Sequence, residues 1–182
     1  MQKICLTIVL ITILSCLIPA RAQYLAPEER KFTRQDSLRG SITPERAWWD
    51  LTYYHLDIAV KPADSTISGR NTVTYRVRSN SNIMQIDLQP PLEITSAEQN
   101  GRQLAFTREG NVYWIKLAEE QIPGSVNSVV ISYGGKPKAS RRPPWEGGIT
   151  WTKDSKGLPF VASSCQGAGA SLWWPCKDHM YD

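Results

Sequence analysis

Residues 52–60 read Thr52-Tyr53-Tyr54-His55-Leu56-Asp57-Ile58-Ala59-Val60, and this nonapeptide decides the fold class. Tyr54, Leu56, Ile58 and Val60 share one parity while His55 and Asp57 share the other. Side chains on a strand alternate between faces, so the pattern predicts a half-buried β-strand rather than a helix. Lys61 to Ser65, with Pro62 and Asp64, supplies the turn that ends it.

The same grammar repeats outward from there. Ile67, Val73, Tyr75 and Val77 lie on one parity of Thr66–Val77, and Gly69 marks a bulge or a close approach of two backbones. Met84, Ile86 and Leu88 alternate with Gln85 and Asp87. Asn100-Gly101 between Leu92–Glu98 and Gln103–Phe106 is a strong hairpin signal, because that dipeptide accepts two consecutive positive φ values. Glu109-Gly110-Asn111 makes a second turn before Val112–Leu117, and Pro123-Gly124 precedes Asn127–Tyr133. Gly134 to Gly148 is a Pro/Gly-rich connection to short strands at Ile149–Trp151 and Leu158–Ala162. After residue 23 no helical period runs for ten residues or more. Short strands punctuated by turns predict an all-β sandwich or open barrel.

The N-terminus has a different character. Lys3, the apolar run Ile4–Ile18 and the small-x-small triplet Ala20-Arg21-Ala22 form the pattern of a secretory signal peptide over residues 1–22. The run is short for a membrane span, so no transmembrane segment is expected after cleavage. Lipoprotein anchoring through Ile13-Leu14-Ser15-Cys16 is a weaker reading, because apolar residues continue past Cys16. The expectation is export, to a periplasmic or extracellular space. Residues 23–44 are polar and charged without a period and read as an arm that either wraps the domain or stays mobile. The β-rich domain is expected over 45–182.

Charge and cysteines bound the partners. Lys3 and Arg21 are lost with the leader and no acid goes with them, so the formal charge of +4 falls to +2. No basic patch carries interleaved aromatics, which argues against nucleic acid. Cys165 and Cys176 are the two cysteines left, and an exported protein oxidises such a pair only where the fold brings them together. With His55 and His179 they lack the usual spacing of a zinc site.

Ser163–Asp182, SSCQGAGASLWWPCKDHMYD, is the other unusual stretch. Gly167, Ala168, Gly169 and Ala170 have so little bulk that a backbone or ligand can approach closely. An extended conformation places Trp173 and Trp174 on opposite faces, one indole entering a core and the other lining a surface or cleft. Pro175 ends such a run or sets it at a sheet edge. Gln166, just before the small residues, offers two donors and an acceptor oxygen. It reads either as a ligand contact or as a structural glutamine satisfying loop backbone groups. With no turn signal or polar tail after Pro175, the sequence reads as cut rather than finished. Catalytic chemistry is not legible: there is no H-E-x-x-H, G-x-S-x-G, P-loop or dinucleotide fingerprint. Asp57 and His55 read as strand-surface residues, and Lys177, Asp178 and His179 do not converge in an extended segment.

Ser164-Cys165-Gln166 followed by Pro175-Cys176-Lys177-Asp178 resembles the N-terminal domain of the aminopeptidase N-like zinc metallopeptidases, where Q-x-[EQ] precedes P-C-x-D. YYHLDIAV, ISGRNTVTYRV and PPWEGGITW resemble the exported bacterial branch, and the likeness runs from about Phe32 to Asp182. It implies a saddle-like β domain packed on a thermolysin-like catalytic domain that is missing here. Gln166 occupies the position that binds the substrate's free amino terminus. Glutamine there resembles the leukotriene-hydrolase branch; a glutamate would bind an ammonium more strongly through its charge. Ser164 departs from the first glutamine of the pattern. The zinc motif and its general base belong downstream, so the intact parent holds zinc and hydrolyses peptides while this chain binds no catalytic zinc and has no catalytic residue. A rival reading is a self-sufficient β-sandwich binding module whose ligand surface is Trp145, Trp151, Trp173 and Trp174; a third is an inactive family member.

Overall fold

The alternation at residues 52–60 becomes β1 (Trp49–Lys61), whose Tyr54, Leu56 and Ile58 are half-buried while His55 and Asp57 face water. Val60, expected inward, is exposed near the strand's end. The computed structural model describes residues 31–180; the leader and the lipoprotein cysteine proposed for the first 22 residues lie outside them. β1 pairs antiparallel with β2 (Thr66–Val77). Gly69 is a close approach and not a bulge: the register runs unbroken through it, and a Cβ there would sit 2.2 Å from the carbonyl oxygen of Asp57.

β3 (Ser81–Asp87), β4 (Glu93–Gln99), β5 (Arg102–Gln103), β6 (Ala105–Glu109), β7 (Val112–Gln121) and β8 (Val126–Gly135) follow in order. Asn100 and Gly101 have φ of 53° and 75° and join β4 to β5 directly, with Gln99 opposite Arg102. Two positive φ values are what a two-residue hairpin of this twist demands. The strands assemble as two antiparallel sheets, one ordered β1-β2-β8-β4-β5 and the other β3-β7-β6. β9 (Gly148–Lys153) and β10 (Pro159–Ser164) form a separate hairpin. The architecture is all-β and sandwich-like, with no closed barrel among the described residues.

One core lies between the sheets. Val73, Tyr75, Val129 and Ile131 from the first sheet meet Met84, Ile86, Ile115 and Leu117 from the second, all at 0 or 1% exposure. Each such aliphatic side chain contributes about 1.5–3 kcal/mol relative to exposure, so this interface holds the sheets together. Tyr75 carries a hydroxyl into the core and donates it to Gln121 at 2.9 Å, while Gln99 donates back to it at 2.9 Å.

The polar parity of β3 departs from the half-buried pattern, because Gln85 and Asp87 are buried as well. What covers them is the arm. Residues 34–40 form α1 (Arg34–Gly40) behind a capping box in which Thr33 and Asp36 each bond the other's backbone N–H. α2 (Pro44–Ala47) follows, with proline in its first turn. Thr43 donates to the Gln85 side chain at 2.6 Å, Gln85 donates to the Leu38 carbonyl at 3.1 Å, and Arg34 pairs with Glu109. The described part of the arm therefore wraps the domain; its polar composition reflects partners inside the fold.

Candidate functional site

β10 delivers the chain at Ser164 into a turn, where Ala168 and Gly169 N–H both donate to the Cys165 carbonyl, at 3.0 and 2.9 Å. Gln166 lies on this turn, exposed, and its side-chain amide has no hydrogen-bond partner among the described residues. The loop backbone is satisfied by a different glutamine, Gln89, whose amide nitrogen donates to the Ala168 carbonyl at 2.6 Å and to Ser171 Oγ at 2.9 Å. The Gln166 side chain itself makes no hydrogen bond to the loop backbone among the described residues.

The small residues after it are needed by the chain itself. Gly169 has φ of 81°, and a Cβ there would fall 2.1 Å from the Asp178 carboxylate. Ser171 donates to that carboxylate. Ala170–Leu172 is a single 3₁₀ turn, so Trp173 and Trp174 do not part to opposite faces as an extended segment would require. Both indoles are half-buried against the core, 6.2 Å apart, and Trp174 meets Tyr54 edge-on at 4.7 Å. Gly169's positive φ and the Asp178 contact turn the chain where alternation predicted extension.

Pro175–Asp178 is the fastening of the domain. The Pro175 carbonyl accepts from Asn71 on β2 at 2.8 Å. Cys176 forms an antiparallel bridge with Asp87 at the end of β3. Lys177 is buried; its backbone N–H donates to the Tyr54 hydroxyl at 2.8 Å, and its ammonium reaches the Trp49 carbonyl at 2.9 Å over the Trp49 ring. Asp178 N–H donates to Asp87 at 2.9 Å, and Asp87 pairs with the fully buried Arg46 at 2.6 Å. Burial pushes the Asp87 carboxyl up from its ordinary range, opposed by Arg46 and by the N–H donors of Asp178 and Gln85. Burial also raises the Cys176 thiol well above its usual range, with the Asp178 and Asp87 charges adding to the effect. Cys165 and Cys176 are both free thiols, so no disulfide closes this segment.

The remaining sequence candidates are scattered. His55 and Asp57 line a shallow basin on the outer face of the first sheet, where Asp57 pairs with Arg70 at 3.5 Å in water. Among the described residues no three His, Cys, Asp or Glu side chains are close enough to share a metal ion. Of the four tryptophans proposed as a ligand surface, Trp145 stands in solvent at 78% exposure, while Trp173 and Trp174 serve the core. Trp151 lines an apolar groove of about 710 Å³ with Pro62, Ala63, Phe160 and Val161. Sequence reasoning missed Arg39, Gln89 and Arg46; Asn71, a polar residue on the apolar parity of β2, signalled only the contact with Pro175.

No family model and no curated protein matches the chain. Solved structures do. An M1 zinc metallopeptidase mutant from Deinococcus radiodurans, bound to a Tyr-ser-ala substrate, superposes with a TM-score of 0.55 at 21% identity, over 78% of this chain and 32% of that one. Native yeast LTA4 hydrolase gives 0.59 at 18% identity, over 81% and 25%. The chain has the fold of an M1 zinc metallopeptidase domain. A two-domain M1 zinc metallopeptidase mutant bound to L-arginine gives 0.52 at 21% identity, over 74% and 30%. At these identities the likeness is one of fold, consistent with the N-terminal domain expected from the motif order. The chain spans less than a third of the length of each of these M1 structures.

Proposed function

We propose that this chain is the N-terminal domain of an exported zinc-dependent aminopeptidase, and that Gln166 receives the free amino terminus of the peptide. The observation that carries the reading is the exposed, unpaired Gln166 amide on a turn fixed by Gln89. An amide oxygen accepts from an ammonium N–H without a charge of its own, so it gives orientation with modest affinity. Zinc, which activates water and polarises the scissile carbonyl in such enzymes, belongs to protein outside these residues. The apolar groove beside β9 and β10, with Leu158 and Phe160 exposed next to it, supports a face that meets another domain. The pattern of residues 1–22 supports export to a periplasmic or extracellular space.

The test is to isolate the native protein, determine its mass, and assay it on an aminoacyl anilide before and after zinc chelation. A product longer than 182 residues with chelator-sensitive activity on unblocked substrates is expected. A native protein of this length without such activity overturns the reading and leaves a β-sandwich binding module.

A further inference from the structure

Two side chains far away in sequence hold the Gln166 turn. Gln89, in the loop after β3, takes the Ala168 carbonyl at 2.6 Å. Arg39, in the last turn of α1, donates from Nη2 to the Gly167 carbonyl at 2.6 Å across 128 residues of sequence. Gly167 has φ of 67°, a left-handed conformation that glycine adopts without strain. The Gly167 and Ala168 carbonyls are thus held, and the Gln166 side chain is exposed.

The grip by Arg39 is itself supported. The buried Arg46 donates from Nη1 to the carbonyls of Arg39 and Ser41, at 3.3 and 2.8 Å, fixing the C-terminal end of α1. Its other nitrogen, Nη2, pairs with Asp87. Asp87 in turn accepts from Asp178 N–H, and Asp178 accepts from Ser171, which receives the Gln89 amide. A closed circuit of hydrogen bonds therefore joins the arm to the turn along two routes. A single exposed arginine bond to a carbonyl is weak in stability terms. Its use here is to orient a turn that is also closed by the Ala168 and Gly169 N–H groups on the Cys165 carbonyl and held by Gln89.

We propose that Arg39 is a positioning residue for Gln166, and that the arm sets the orientation of the amino-terminus contact. This rests on the reading of Gln166 given above. It makes the recognition turn an assembly of two parts of the chain rather than a property of the β10 loop.

The experiment uses the full chain, ¹⁵N-labelled, as wild type, Arg39→Ala and Arg39→Lys. Amide hydrogen exchange at Ala168 and Gly169, whose N–H groups close the turn, reports its opening. In Arg39→Ala their exchange is expected to accelerate on the order of tenfold while Val73 and Ile115 in the core stay unchanged, and Arg39→Lys is expected to restore part of the protection. Unchanged exchange at the turn, or equal acceleration throughout the core, overturns the proposal. The Gln166 side-chain amide signal is then followed during titration with alaninamide and with N-acetylalaninamide. A shift with the free amine alone, reduced in Arg39→Ala and regained in Arg39→Lys, is the signature of positioning. Equal shifts in all three proteins overturn it. A wild type that shifts with neither probe removes the role of Gln166, and with it the functional half of the proposal, while the exchange result still decides whether Arg39 fixes the turn.

Discussion

Arg46 and Asp87 form an ion pair removed from water: Nη2 and Oδ2 are 2.6 Å apart, and the side chains are 0 and 6% exposed. Truncating one partner of such a pair strands the other charge and costs about 3–5 kcal/mol. Arg46→Met should therefore lose about that much in urea denaturation. The pH dependence has a definite sign. Burial already raises the Asp87 carboxyl, and removing Arg46 takes away its main opposition. A raised carboxyl keeps its proton in the fold after the unfolded chain has released it. Arg46→Met is thus most stable in acid and loses stability as pH rises through the window between the unfolded and folded values. Denaturation midpoints parallel to wild type from about pH 4 to about pH 7 would count against this.

Tyr75 gives an alkaline counterpart. Burial pushes its phenol from 10.0 up to about 12, with the Gln99 hydrogen bond pulling slightly the other way. The folded phenol keeps its proton where the unfolded one ionises, so stability should fall as pH rises from 10.0 towards about 12. Tyr75→Phe should flatten that part of the decline while losing stability at neutral pH, because Gln121 and Gln99 lose their shared partner. Thermal melts across alkaline pH separate the two effects.

Gly169→Ala tests the tight turn. The new methyl meets the Asp178 carboxylate at a φ that L-residues rarely adopt. A loss of about 1–3 kcal/mol is expected from the backbone strain alone. Asp178 must also move, so the Ser171 bond is lost with it. A variant that melts with the wild type shows that the turn relaxes freely.

The two thiols should differ in reactivity. Cys176 is 2% exposed and its thiol is raised by burial, whereas Cys165 is partly open. Brief treatment of the native protein with iodoacetamide should label Cys165 and spare Cys176, and unfolding should expose both. Mass spectrometry reads the result; a native mass lacking two hydrogens would instead reveal a disulfide.

The strands were legible because a one-sided surface writes its period into the chain, as in Tyr54-Leu56-Ile58 and Val129-Ile131-Tyr133. Asn100-Gly101 named its own turn. Gln85 and Asp87 misled, since a polar residue covered by a second polar layer carries the same letters as one facing water. Their partners, Thr43 and Arg46, lie 42 and 41 residues away and leave no periodic trace. The site was half legible. Small residues marked a close approach beside Gln166, but what approaches is Asp178, and the grips of Arg39 and Gln89 span 128 and 79 residues. The double tryptophan read as strand because alternation cannot register a 3₁₀ turn begun by a glycine.

The fastening at Pro175–Asp178 also sets the order of events during synthesis. It ties down Trp49, Tyr54, Asn71 and Asp87, partners between 91 and 128 residues earlier. Until residue 178 arrives, β1, β2 and β3 lack contacts that only this segment supplies, and such distant closures come late and slowly. Asn71 and Asp87 thus wait for a segment 104 and 91 residues downstream before these hydrogen bonds can close.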